Sequence, residues 1–318
     1  MTITTTQLLQ KVKSGVTVPA NQARFTDEDL LGFGDDETES RIVPIITSIR
    51  QEFFVKKKSV PVVANQAAYK FPYRAVGRTL RNLYLRSTTQ STVIKELPFV
   101  MLEDKNRYLA NSGGDPQAYT VMGDYIIILP TPVLANYYID MEYELAPSKY
   151  VSTSRTQAIS SFDLTTGIIS LSATNSTFLT GQEMDIVDGR SGNSVKVEDI
   201  TNTNVSGADV TFLAANLPAA TDMGAIAVGD ILCLSNETSV LQIPNECSQL
   251  LVQCIIGRIL EALGDFKGLE KNEEKLTKVI IPAAQDAMNP RVESKAPVVV
   301  NRNGLLRGRN AVRWRINS

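Results

Sequence analysis

Histidine is missing altogether from these 318 residues. Its absence excludes Ser-His-Asp and Cys-His arrangements, His-ligated zinc and imidazole bases, and with them most hydrolase chemistry. Cysteine is scarce. Cys233, Cys247 and Cys254 form an odd set with no paired framework, the pattern of thiols kept in a reducing compartment. Two of them, Cys247 and Cys254, fall on one helical face. Two thiols without further ligands cannot complete a tetrahedral zinc site, so both read as core packing. Long uncharged apolar runs are also wanting. The longest, Tyr125 to Ile139, is broken by Pro130 and Pro132 and does not read as a membrane span. The opening MTITTTQLLQKVKSG lacks the apolar segment of a signal peptide, so a soluble, cytosolically made product is expected. Gly32-Phe33-Gly34 lacks the later glycine of a dinucleotide fingerprint, and no phosphate-loop pattern occurs.

What is present is ordinary in bulk and uneven in place. Hydrophobic residues make up 43% and charged residues 21%, the balance of a globular protein with a sizeable core. The net charge is −2. Residues 291–318 carry seven Lys/Arg and one Glu, a net +6, so the other residues sum to −8 by subtraction. The basic end also holds the one tryptophan, Trp314. Such an asymmetry points to a tail that meets a partner.

Periodicity divides the chain into an α+β protein. Residues 1–24 are polar and read as an N-terminal arm or short helix. A helical bundle is expected from 25–58 and 240–290. Thr26 caps a first helix whose Asp27, Glu28 and Asp29 suit the positive dipole end. Gly34 is expected to end it. A second helix carries Ile42, Ile45, Ile46, Ile49 and Phe53 on one face, with Pro44 as its kink or start. Residues 59–149 read as a mixed β unit, with Ser59 onward switching to a two-residue period. Residues 150–239 are rich in Thr, Ser, Gly and Asn, and GIISLSA, EMDIVD, SVKVEDI, ADVTFLA and DILCLS are short strands. They predict an inserted all-β sandwich or barrel. Helix returns near Asn245, turns at LGDFKG, and runs on to Met288 with a kink before Pro282. Residues 291–318 form an extended C-terminal tail.

Candidate chemistry is thin. Seven acids between Phe25 and Ser40 could hold a hard cation. They lack the alternating ligand spacing of an EF-hand, and stabilising helix N-termini explains them better. Lys56-Lys57-Lys58 reads as a solvated patch at a helix end. Asp188-Gly189 is hairpin chemistry. No catalytic constellation, cofactor site or metal site follows, and a non-enzymatic role is expected.

Five stretches in order resemble the head-to-tail adaptor (connector) proteins of tailed bacteriophages. They are DDETESRIVPIITSIRQEFFV, VPVVANQAAYKFP, GGDPQAYTVMGDYIIILPTP, LEALGDFKGLEKNEEKL and PRVESKAPVVVNRNGLLR. The likeness spans about 25–147 and 240–308 and leaves out 150–240. It implies a structural virion protein at the head–tail junction, made in the host bacterial cytoplasm. Its copies form a ring, usually of twelve, between the portal protein above and a tail tube or nozzle protein below. DNA passes through the lumen without sequence-specific binding. The tail docks on the portal, and the docking residues are then Arg302, Leu305, Leu306, Arg307, Arg309, Arg313, Trp314, Arg315 and Ile316.

Two other readings stand beside this one. Residues 150–239 could anchor a fibre or tailspike, making the chain a tail or fibre-anchoring component. The arginines with Trp314 could instead grip nucleic acid, although an acidic body repels it. The tail alone is a weak binder. Burying one tryptophan yields about 4–6 kcal/mol, while ordering each residue costs about 1–2 kcal/mol in backbone entropy. Strand pairing and many tails held by one ring would have to act together.

Overall fold

The structure is a computed structural model that describes residues 2–16, 25–88, 93–109, 114–190, 195–214, 217 and 225–288. All of these belong to one compact unit. It is a mixed α+β fold with three hydrophobic cores, one helical and two built on strands. The expected C-terminal tail lies outside the described residues.

The helical core draws on both ends of the described chain. Helix α1, Thr5–Gly15, begins at a capping box between Thr4 and Gln7 and buries Leu8 and Val12 one turn apart. The supposed polar arm is therefore partly core. Helix α2, Asp27–Glu37, has its own capping box between Thr26 and Asp29. Gly34 does not end it. A Cβ at Gly34 would lie 3.3 Å from the Tyr150 ring and 3.4 Å from Ile255. This glycine serves close packing within the helix rather than termination.

Beyond α2 the chain passes through a π-helical turn, Thr38–Ile42, into α3, Val43–Ile49. The same construction recurs late in the chain. Helix α6, Phe266–Lys275, enters a π-turn, Leu276–Ile280, and then α7, Ile281–Met288. In both places a proline, Pro44 or Pro282, is the second residue after the π-turn. The residue before it donates its N–H five back, Val43 to Thr38 and Ile281 to Leu276. Proline lacks an N–H and crowds the carbonyl four back, and the wider turn accommodates both. Ile42 and Ile46 are fully buried, and Ile45 and Ile49 pack against the same core. Phe53 departs from the expected helix: the chain leaves α3 at Arg50, and Phe53 and Phe54 form an edge-on pair in the turn beyond.

Helix α5, Ser248–Leu263, is the centre of this layer, burying Leu250, Leu251, Cys254 and Ile255. Burying a side chain of this size contributes about 1.5–3 kcal/mol. Gly264 ends α5 at φ 74°, left-handed backbone that suits glycine. Asp265 then accepts the Gly268 N–H to start α6. The expected helix-turn-helix joint is present.

The second core lies between two antiparallel sheets. One has the order β1-β7-β3-β4 and the other β2-β6-β5. Their ranges are β1 Val55–Pro61, β2 Ala68–Lys70, β3 Ala75–Ser87, β4 Val93–Glu96, β5 Ala118–Met122, β6 Tyr125–Leu129 and β7 Tyr137–Leu145. A short helix α4, Lys105–Leu109, separates β4 from β5. VPVVANQAAYKF does hold two strands, yet they join different sheets, β1 with β7 and β2 with β6. Lys56, Lys57 and Lys58 stand on β1, not at a helix end.

After β8, Lys149–Tyr150, the chain builds a closed six-stranded barrel of order β10-β13-β12-β11-β14-β9. Its strands are β9 Gln157–Asp163, β10 Ile168–Leu171, β11 Glu183–Val187, β12 Val195–Ser206, β13 Asp209–Phe212 and β14 Ile231–Leu234. Phe178 and Phe212 fill its core, with Phe162 at the margin. The exit strand β15, Glu237–Thr238, pairs in parallel with β8. Entry and exit are thus neighbours, as an insertion requires. Val187, Val195 and Cys233 face out of the barrel and belong to the second core, so barrel and sheets share one apolar seam.

Candidate functional site

Three ionic constructions organise the body, and the first joins the barrel to the sheet unit and to the loops after β7 and ahead of α5. Arg74, just ahead of β3, and Asp185, in the middle of β11, are both almost without solvent contact and meet at 2.6 Å. The second oxygen of Asp185 accepts the backbone N–H of Asp199, and the Asn236 N–H joins Arg74 at the first. Arg74 also donates to Ser148 at 2.6 Å, and Ser148 is held by Gln242 through its N–H and its hydroxyl. Burial pushes Asp185 above its ordinary range, against the pull of Arg74. Around this pair Tyr143 donates to Glu198, and Tyr73 donates to Asp199.

The second construction clasps the helices. Buried Glu37 at the end of α2 takes Arg258 of α5 at 2.5 Å, and Arg41 lies 3.7 Å from its other oxygen. Arg41 reaches on to Glu273 of α6 at 3.2 Å. Three helical segments are thereby tied to α2. Asn272 adds a buried hydrogen bond from α6 to the Gln253 carbonyl.

The third is an open acidic recess of about 900 Å³ along α2, lined by Glu28, Asp29, Asp35, Asp36 and Glu39 with Phe33 and Lys149. Asp35 accepts the Tyr150 N–H at 2.7 Å. Burial pushes its carboxyl up to about 7, the Tyr150 bond opposes that, and Glu39 and Asp36 add to it. Asp29 is held below its usual range by the Thr26 hydroxyl and N–H. Among the described residues, no three acidic or thiol side chains are grouped so as to hold a metal ion.

The three thiols are not poised as nucleophiles. Burial pushes Cys247 up to about 12 and Cys254 to about 11, and raises Cys233 well beyond its ordinary value. All three are protonated near neutral pH, whereas thiolate is the reactive form. Cys247 and Cys254 pack in the helical core, and Cys247 touches Met288. Among the described residues no helix is long and apolar enough to cross a membrane.

The nine tail residues expected to dock on a portal, Arg302, Leu305, Leu306, Arg307, Arg309, Arg313, Trp314, Arg315 and Ile316, lie outside the described residues. Asp27, Glu28 and Asp29 occupy the first turn of α2, as expected. Sequence reasoning passed over Arg74, Asp140, Asp185 and Asp230. A signal existed for two of them. Asp140 interrupts the apolar run of β7, and Asp185 does so in β11. A charge inside a strand that is otherwise buried needs a partner.

A search of the curated proteins finds no match. Residues 3–168 match the SU10 adaptor protein family. That stretch takes in α1, α2, α3, both sheets, β9 and the start of β10. With more than half of its length inside the match, this chain belongs to the SU10 adaptor protein family.

Proposed function

We propose that this chain is a head-to-tail adaptor of a tailed bacteriophage, a structural protein of the virion and not an enzyme. In this reading copies form a ring, twelve by the resemblance, between the portal protein and a tail tube or nozzle protein. The last residues of each copy dock on the portal, and DNA passes through the lumen. The observation that carries the reading is the match of residues 3–168 to a phage adaptor family. The charge division supports it: a body of net −8 disfavours holding DNA, and a basic end of net +6 suits a partner's surface. The ionic clasps support it as well, because a ring subunit has to keep its shape under load.

Imaging the full chain by negative stain, alone and with purified portal, tests this reading. Rings on the portal are expected. Removing residues 297–318 should leave a folded, soluble protein that no longer joins the portal. A chain that stays monomeric with portal at micromolar concentration overturns the proposal. A short duplex DNA titrated at two salt concentrations separates portal docking from nucleic-acid grip, since phosphate binding weakens steeply with salt.

A further inference from the structure

Strand β1 is an edge. Among the described residues it pairs with β7 on one side and with no strand on the other. Val62 donates to the Tyr137 carbonyl, and the register pairs Val60 with Ile139. Backbone groups alternate along an antiparallel strand, so Lys56, Lys58 and Val60 point theirs at β7. The free edge therefore carries the N–H groups of Lys57 and Ser59 and the carbonyls of Lys57, Ser59 and Pro61. Pro61 occupies an outward position, the place where an edge strand tolerates proline.

Facing this edge is a second one. β12 pairs with β11 from Val195 to Thr201, whereas its pairing with β13 begins only at Asn202. Among the described residues, Lys196 to Asp199 thus have a strand on one side alone. Between the two edges runs an open groove of about 760 Å³, lined among others by Lys56, Lys57, Lys58, Ser59, Lys196 and Glu198.

The lysines in this groove are not equally occupied. Lys196 donates to both oxygens of Asp230 and to the Ala225 carbonyl. Lys57 lies 2.9 Å from Asp140, which Arg86 and Ser59 also hold. Lys58 stands 3.7 and 3.8 Å from Glu198 and Asp199, both of which already accept tyrosine hydroxyls. Lys56 has no hydrogen-bond or ion-pair partner among the described residues, although it is half-buried. Lys56 and Lys58 sit two apart on one face of the strand, so the groove offers two ammonium groups at strand spacing beside a free backbone edge.

We propose that this groove is a strand-addition site for an extended polypeptide segment of another protein carrying carboxylates at alternate positions. The inference goes beyond the adaptor reading and does not require a ring. Main-chain bonds to Lys57 and Ser59 supply affinity, and carboxylates opposite Lys56 and Lys58 supply selectivity. Charge excludes the basic end of this chain as the occupant. Nucleic acid fits less well, since a phosphate backbone cannot continue a sheet ladder.

The test titrates the full chain with a fluorescent, end-blocked octapeptide of four Thr-Glu repeats, and runs hydrogen exchange in parallel. Saturable binding below 1 mM is expected, with slowed exchange confined to residues 55–61 and 195–201. Ser59→Pro blocks the outward N–H at a position like that of Pro61 and should weaken binding at least tenfold. Ser59→Ala, which loses only the hydroxyl, should stay within about threefold of the parent. Lys56→Glu with Lys58→Glu should also lose at least tenfold. The proposal is overturned by absence of saturation at 1 mM, by Ser59→Pro binding like the parent, or by a single-stranded oligonucleotide protecting 55–61 where the peptide does not. Ring formation on the portal is scored separately and bears on the adaptor reading alone.

Discussion

The barrel and the helical layer are held together in opposite ways. The barrel is local in sequence, its six strands all lying between Gln157 and Leu234. It closes on itself, so among the described residues each of its strands has a neighbouring strand on both sides over at least part of its length. The helical core is assembled from distant pieces: Leu8 and Val12, then Leu30 to Phe54, then Tyr150, then Leu241 to Met288. A local unit can form early and tolerate insertion, whereas a core built from distant segments forms only when the whole chain has collapsed. The barrel meets the neighbouring sheets, not the helical layer, at an apolar seam and at the Arg74–Asp185 pair. That joint decides whether they behave as one body or two.

Breaking the joint has the largest expected effect. Arg74→Met leaves the Asp185 carboxyl buried with two backbone N–H partners and no cation, at a cost of about 3–5 kcal/mol. Changing Asp185→Leu together with Arg74→Met removes both charges and should restore part of that loss, since the Asp199 and Asn236 N–H groups then lack their acceptor. Urea unfolding of the single and double variants reads this directly. If the double variant is as unstable as the single, the carboxylate is not what makes Arg74 necessary.

The difference between local and distant cores can be sharpened with matched cavities. Leu250→Ala in α5 and Ile186→Ala in β11 each remove a fully buried side chain, at a cost of about 2–5 kcal/mol. Their consequences should differ in place. Leu250→Ala should speed hydrogen exchange throughout α1, α2 and α5, because those segments share one core. Ile186→Ala should speed it within 157–234 first and leave α5 protected. Equal loosening of both regions by Ile186→Ala would show that the barrel has no stability of its own.

Much of this architecture was legible before any coordinates. The Thr26 cap, the Gly264 joint and an irregularity at Pro44 and before Pro282 follow from local rules that three or four residues satisfy, whereas the π-turns that take up the prolines were not foreseen. Five of the six barrel strands, β10 to β14, were legible for the same reason, alternation being a local signal, whereas β9 was passed over. What failed had non-local causes. Gly34 looked like a stop because its purpose, contact with Tyr150 and Ile255, lies more than a hundred residues away in sequence. Lys56-Lys57-Lys58 looked like a helix cap because three lysines carry no apolar alternation, and pairing with the apolar β7 is what makes them a strand. Arg74 gave no sign at all, for its partner is 111 residues on. The nine docking residues of the tail rest on resemblance and lie outside the described residues.

The smallest expected effect concerns Asp35, at the boundary where α2 meets the entry to the barrel. Burial raises its carboxyl to about 7 from an unfolded value near 3.8. Between those two values the folded chain holds a proton that the unfolded chain releases. Stability from this group therefore falls as pH rises from about 4 to about 7, and is flat above and below that window. Asp35→Asn keeps an acceptor for the Tyr150 N–H and removes the charge. It should leave stability at pH 4 nearly unchanged. At pH 8 it should stabilise by about 1–2 kcal/mol once solvent screening on the open side of the recess is allowed for. In a protein of this size that is a rise in Tm of roughly 1.5–3 °C. Thermal scans of both proteins at pH 4 and pH 8 give the answer. A gain of equal size at both pH values would mean that the asparagine acts by packing, and that the acidic recess holds Asp35 no differently from its neighbours.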